Sequence, residues 1–128
     1  SGDRQVAECR ENIMAIDHNF LLVLKSAGIG DSQPDLGETL MGLFLNQLLA
    51  TEKLPAQIAC MNTAVFLTTE GSKLADTLRQ FEQAGTEVLS CGTCLKYFDR
   101  EQKLIVGKPT TMKETVRAMV KFDKVITL

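Results

Sequence analysis

At 128 residues the chain is long enough for one domain that buries a core without disulfide or metal staples. An apolar share of 45% excludes a disordered chain. A net charge of −2, with acids and bases interspersed, excludes a basic nucleic-acid-binding stripe and an anionic-membrane patch.

No apolar run approaches the length of a membrane span, and the polar start Ser1-Gly2-Asp3-Arg4 has no signal-peptide core. The expected location is the cytoplasm, with neither nucleic acid nor membrane as a partner. In that reducing compartment the four cysteines are expected as thiols, ligands or redox centres rather than structural bridges.

Residues 1–19 read as an N-terminal tail or linker. Val6, Cys9, Ile13 and Ile16 fall at helical spacing there. The domain proper is expected over residues 20–128. It opens on Phe20-Leu21-Leu22-Val23-Leu24, a continuous apolar run that predicts a strand buried on both faces of a parallel sheet. Gly28 and Gly30 follow in a loop that allows sharp turns and close backbone approach. From Leu36 to about Thr51 the spacing predicts a helix with Leu36, Leu40, Leu43, Phe44 and Leu48 on one face. Met41 and Leu45 widen that face, enough for a second buried side in an oligomer.

Gln57 to Asn62 predicts a second strand. Thr68, Thr69 and Ser72 are expected to serve the start of a helix that carries Leu74, Ala75, Leu78 and Phe81, with Glu70 complementing its dipole and Gly85 as its C-cap. Thr86 to Ser90 predicts a third strand, which delivers Cys91, and a short helical turn runs on to Tyr97. Leu104-Ile105-Val106 reads as a small fourth strand ending at Gly107. Thr111 and Glu114 match a capping box for a helix that turns Met112, Val116, Met119 and Val120 inward. Lys124 to Leu128 is the last strand. Alternating strand and helix with short connections predict an α/β domain: a mainly parallel sheet of about five strands with helices on both faces.

Such sheets bind ligands beyond the carboxyl ends of their strands. Gly28, Gly30, Asn62 and the run Ser90-Cys91-Gly92-Thr93-Cys94 all fall there, so these are the candidate site residues. Two thiols at C-x-x-C spacing can bind a soft metal, exchange a disulfide or carry a sulfane sulfur. One such pair supplies only two of the roughly four ligands that zinc needs, so no metal is expected within one chain. Cys91 reads as the activated nucleophile, with Ser90, Gly92 and Thr93 offering donors or backbone freedom beside it. Cys94 is the resolving or sulfur-holding partner. Cys60 reads as core packing, Cys9 as an incidental thiol, and His18 as structural or solvent-facing. Asn62 either aims its amide at a ligand or caps the local turn. Tyr97-Phe98 either wall the pocket or fill the core. Glycine-rich dinucleotide, P-loop and nucleophile-elbow signatures are absent, and no cofactor is expected.

The runs Phe66-Leu67-Thr68-Thr69-Glu70-Gly71-Ser72 and Leu89-Ser90-Cys91-Gly92-Thr93-Cys94-Leu95, then Val106-Gly107 and Asp123-Lys124-Val125-Ile126, resemble the DsrE/DsrF-like superfamily. The nearer resemblance is to the C-terminal domain of YedF-type, sulfurtransferase-like proteins associated with selenium metabolism. It implies a three-layer α/β/α domain. It also implies a persulfide on Cys91, a sulfur-donor or sulfur-acceptor protein as partner, a TusA-like carrier among the candidates, and a homo-oligomer. Two departures stand out. The TusA-like N-terminal domain usual in YedF-type chains is missing, so the sequence is expected to be either part of a longer two-domain protein or a stand-alone version. Thr63-Ala64 also stand where a glycine often follows Asn62. Two rival functions stay open: a non-catalytic oligomerising module with a small-ligand pocket, and a dithiol redox protein using Cys91 and Cys94.

Overall fold

The computed structural model describes residues 15–128. The helical spacing noted around Val6, Cys9 and Ile13 lies outside them. Among the described residues five strands, β1 (Ile16–Leu24), β2 (Leu54–Cys60), β3 (Glu87–Cys91), β4 (Lys108–Thr110) and β5 (Lys124–Thr127), form one sheet in the order β4-β3-β2-β1-β5. Every pairing is parallel. Between the strands lie helices α1 (Pro34–Leu49), α2 (Ala75–Ala84), α3 (Gly92–Tyr97) and α4 (Met112–Lys121), and a 3-10 segment, Asn62–Leu67. Among the described residues no helix is long and apolar enough to cross a membrane.

β1 sits between β2 and β5, so its continuous apolar run is covered on both faces, and Phe20 through Leu24 are all buried. Side chains alternate across a strand. Phe20, Leu22 and Leu24 therefore join Ile58, Cys60 and Val88 on one face, beneath Met41 and Leu45 of α1 and Leu78 and Phe81 of α2. Leu21, Val23 and Ala59 face the other way, against Ala118 of α4, with Met61 and Phe122 at the edge. The second core is much the smaller.

The element ends follow local chemistry. Pro34 opens α1 without losing a needed N–H. Gly85, at φ 114°, closes α2 in the left-handed region, as the sequence predicts. Thr111 accepts the Glu114 N–H at 3.2 Å and caps α4. The Glu114 carboxylate turns to Arg117 instead of completing the capping box.

Several expectations are corrected. β1 begins at Ile16, where it already pairs with Leu54, rather than at Phe20. In α1 the core face is Gly37, Met41 and Leu45, while Leu36, Leu40 and Leu43 are exposed. In α4 the small residues Thr115 and Ala118 turn inward. Met112, Val116, Met119 and Val120 are exposed, Val120 at 82%. Small side chains let α4 lie close on the thin Leu21–Val23–Ala59 surface, and this rotates the larger apolar stripe away from it. The fourth strand is Lys108–Thr110, not Leu104–Val106. The Ile105 and Val106 amides both donate to the Thr68 carbonyl, at 2.9 and 3.2 Å, and Val106 is drawn into the core.

Gly107 then turns the chain into β4 at φ 73°, with its α-carbon packed so tightly that a Cβ would overlap the Val88 carbonyl. Gly107→Ala combines left-handed strain with a backbone clash, and is expected to lower stability by about 2–4 kcal/mol, read as a fall in the urea midpoint.

Candidate functional site

β3 runs out at Cys91, and α3 begins at the next residue, Gly92. Ser90 points into the larger core, where its hydroxyl lies 2.6 Å from the Thr68 hydroxyl, with both side chains fully buried. Thr68 also donates to the Val65 carbonyl. Thr69 donates to that carbonyl too, and its hydroxyl receives a hydrogen bond from the Arg100 guanidinium at 2.9 Å. These two threonines do not start a helix. They clamp the loop after the 3-10 segment to β3 and to the chain beyond α3. Ser72 does serve the helix start, accepting the Leu74 N–H. Glu70 lies five positions ahead of α2, whose first-turn acid is Asp76.

Cys94 lies one turn into α3, beside Cys91. Its Sγ accepts the backbone N–H of Asn62 at 3.1 Å. To present that amide, Asn62 adopts φ 52°, a left-handed conformation that asparagine tolerates better than most residues. The amide turned to sulfur thus comes from the end of β2 and meets Cys94, not Cys91. It supplies the close backbone approach at a corner that lacks the glycine. Cys91 is only 6% exposed, whereas Cys94 is half-buried. Both are free thiols. Burial pushes the Cys94 thiol above its ordinary 9.0, and the hydrogen bond to Cys91 and the Cys91 charge push the same way, against the Asn62 amide. Cys60, fully enclosed in the larger core, is pushed up to about 12 by burial and is inert packing.

The aromatic expectations divide. Phe98 is half-buried, its ring 4.8 Å from Phe66, and Arg100 lies 4.3 Å over the Phe66 ring. Tyr97 is exposed, edge-on to Phe98. Thr93 is exposed on α3, and Gly92 packs close to the Thr110 carbonyl. His18 is exposed on β1. Among the described residues no group of three His, Cys, Asp or Glu side chains is placed to hold a metal.

Gly28 and Gly30 belong to a different opening. They line a cavity of about 870 Å³ together with Thr63, Phe66, Asp31, Asp35 and Glu38, at the start of α1. Gly28 is there for packing as well, since a Cβ would press on the Gly37 backbone. The candidate residues therefore form two neighbouring groups with the 3-10 segment as their shared wall. Asn62 faces Cys94, Phe66 meets Phe98, and Thr63 lines the cavity while accepting the Ala27 N–H. Arg100 and the Thr68–Ser90 tie are absent from the sequence reading. Only their partners Thr68 and Thr69 stand in the L-T-T-E-G-S run, whose local pattern reads as a helix start.

No family model matches the chain, and no curated protein matches it. Solved structures do. The ychN protein from E. coli is 20% identical with a TM-score of 0.57, and the match covers 88% of this chain and 100% of that one. The fold is DsrE/DsrF-like. A conserved protein of unknown function from Bacteroides thetaiotaomicron is 12% identical with a TM-score of 0.59, covering 86% of this chain and 95% of that one. At these identities the likeness is one of architecture.

Cys94 is raised partly by Cys91, so Cys91→Ala is expected to shift the pH profile of Cys94 alkylation by iodoacetamide to lower pH. In the wild type the rate should still be climbing above pH 9.0, the ordinary thiol value. A profile that is unmoved, or moves upward, in the variant would contradict the coupling.

Proposed function

We propose that this domain carries or transfers sulfane sulfur, or its selenium counterpart, as a persulfide on Cys91, working with Cys94 in the cytoplasm. The observation that carries the reading is the placement of two adjacent free thiols at the carboxyl edge of an all-parallel sheet, one of them already receiving a backbone amide. The YedF-type resemblance of the L-S-C-G-T-C run supports it, and so does the DsrE/DsrF-like architecture.

The chemistry is exchange at sulfur. A thiolate attacks the terminal sulfur of a donor persulfide, the donor's S–S bond breaks, and the donor leaves as a thiol after taking up a proton. The cysteine gains one sulfur atom, with no net oxidation. Burial of Cys91 suits storage, because a shielded persulfide is protected from stray thiols. Delivery is the reverse exchange with an acceptor thiol. The partners are proteins that present such sulfur, a TusA-like carrier being the type that the resemblance suggests.

A second reading, a non-catalytic assembly module, draws on the exposed stripes of Leu36, Leu40 and Leu43 on α1 and of Met112, Val116 and Val120 on α4. Apolar surface of that extent marks contact sites. One experiment separates the two readings. Protein incubated with glutathione persulfide, freed of donor and mapped by peptide mass spectrometry is expected to carry one added sulfur on Cys91, absent after the same wash in Cys91→Ala. Wild-type protein that takes up no sulfur would leave the assembly module.

A further inference from the structure

We propose that Cys94 is the port through which sulfur enters and leaves, and that Cys91 is the inner store that it fills. This deepens the sulfur-carrier reading and rests on it.

The geometry separates two thiols that the motif makes equivalent. Cys91 ends β3 with 6% of its surface exposed, held from behind by the buried Ser90–Thr68 hydroxyl pair. With so little of the residue at the surface, a donor as large as a protein or a peptide thiol is placed to meet Cys94 before Cys91. Cys94 stands outside it on α3, half-buried, next to the exposed Thr93 and Tyr97. Its sulfur, not that of Cys91, receives the Asn62 N–H at 3.1 Å. That donor is fixed by the 3-10 segment and held at φ 52°. A preset amide of this kind stabilises negative charge on sulfur, the charge that a departing Cys94 thiolate carries.

Two balanced steps follow. First, the Cys94 thiolate attacks the terminal sulfur of the donor persulfide. An S–S bond forms on Cys94, the donor's S–S bond breaks, and the donor leaves as a thiol with the proton given up by Cys94. Second, the Cys91 thiolate attacks the terminal sulfur now on Cys94. The new S–S bond forms on Cys91, and Cys94 leaves as a thiolate against the Asn62 amide, then takes the proton that Cys91 gave up. The sulfur moves inward, no electrons are gained or lost overall, and delivery retraces the path.

The test is rapid-quench loading with glutathione persulfide, trapped by iodoacetamide and mapped by mass spectrometry. In Cys94→Ser the loading of Cys91 is expected to slow by about tenfold or more, with Cys94→Ala as a second variant and urea midpoints showing that both remain folded. In Cys91→Ala the quench is expected to catch sulfur on Cys94 at early times, which a later wash removes. Loading of Cys91 at the wild-type rate in both Cys94 variants, or no trapped sulfur on Cys94 in Cys91→Ala, would overturn the proposal and leave the carrier reading standing. Wild type that loads no sulfur at all would instead remove the carrier reading.

Discussion

All five strands run in one direction, and the rest of the molecule follows from that constraint. A parallel sheet needs its faces covered, because each return crosses above or below it. It also gathers every strand's carboxyl end on one edge. The Gly28–Gly30 loop, the 3-10 segment and the start of α3 meet there because they follow the ends of β1, β2 and β3. Two short ties fix the meeting. The Thr68–Ser90 hydroxyl pair joins the loop to the back of β3, and the Asn62 amide joins the end of β2 to Cys94. Both are bonds between segments that are distant in the chain, so the sulfur pair keeps its place only while the sheet does.

The two sulfurs that result are chemically unequal. One is walled in and the other faces outward with a hydrogen-bond donor of its own. Exchange between thiols depends on which sulfur is reachable and on which one leaves most readily. Cys94 meets both requirements in the proposed exchange, being the more exposed sulfur and the one that receives an amide hydrogen bond, which leaves Cys91 to store. The neighbouring cavity and the dithiol share the 3-10 segment: Thr63 and Phe66 line the cavity, and Asn62 faces Cys94.

The sequence spoke most clearly where one residue type has one physical use. The unbroken run Phe20–Leu24, bounded by turn residues, reads as a strand covered twice, Gly85 ends a helix in a conformation that other residues resist, and Thr111 caps the helix that it precedes. The C-x-x-C at the end of a strand was equally plain. It misled where two apolar stripes compete for one core. α4 offers Met112, Val116, Met119 and Val120, yet it packs through Thr115 and Ala118, because the sheet face beneath is shallow and a close approach favours small residues. Leu104–Val106 has the composition of a strand, but Thr68 captures its amides and the ladder starts only beyond Gly107. The left-handed turn at Asn62 and the cavity at the loops arise from tertiary placement, which local pattern does not encode.

The central claim is that this edge exists to hold a transferable sulfur, and the chemical state of the cysteines in freshly isolated, unreduced protein tests it most directly. Peptide mass mapping after prompt alkylation should find a fraction of chains with an extra sulfur or selenium atom on Cys91 and none on Cys60. Plain thiols at Cys91 and Cys94 in every chain, even from cells supplied with a sulfane-sulfur source, would contradict the account.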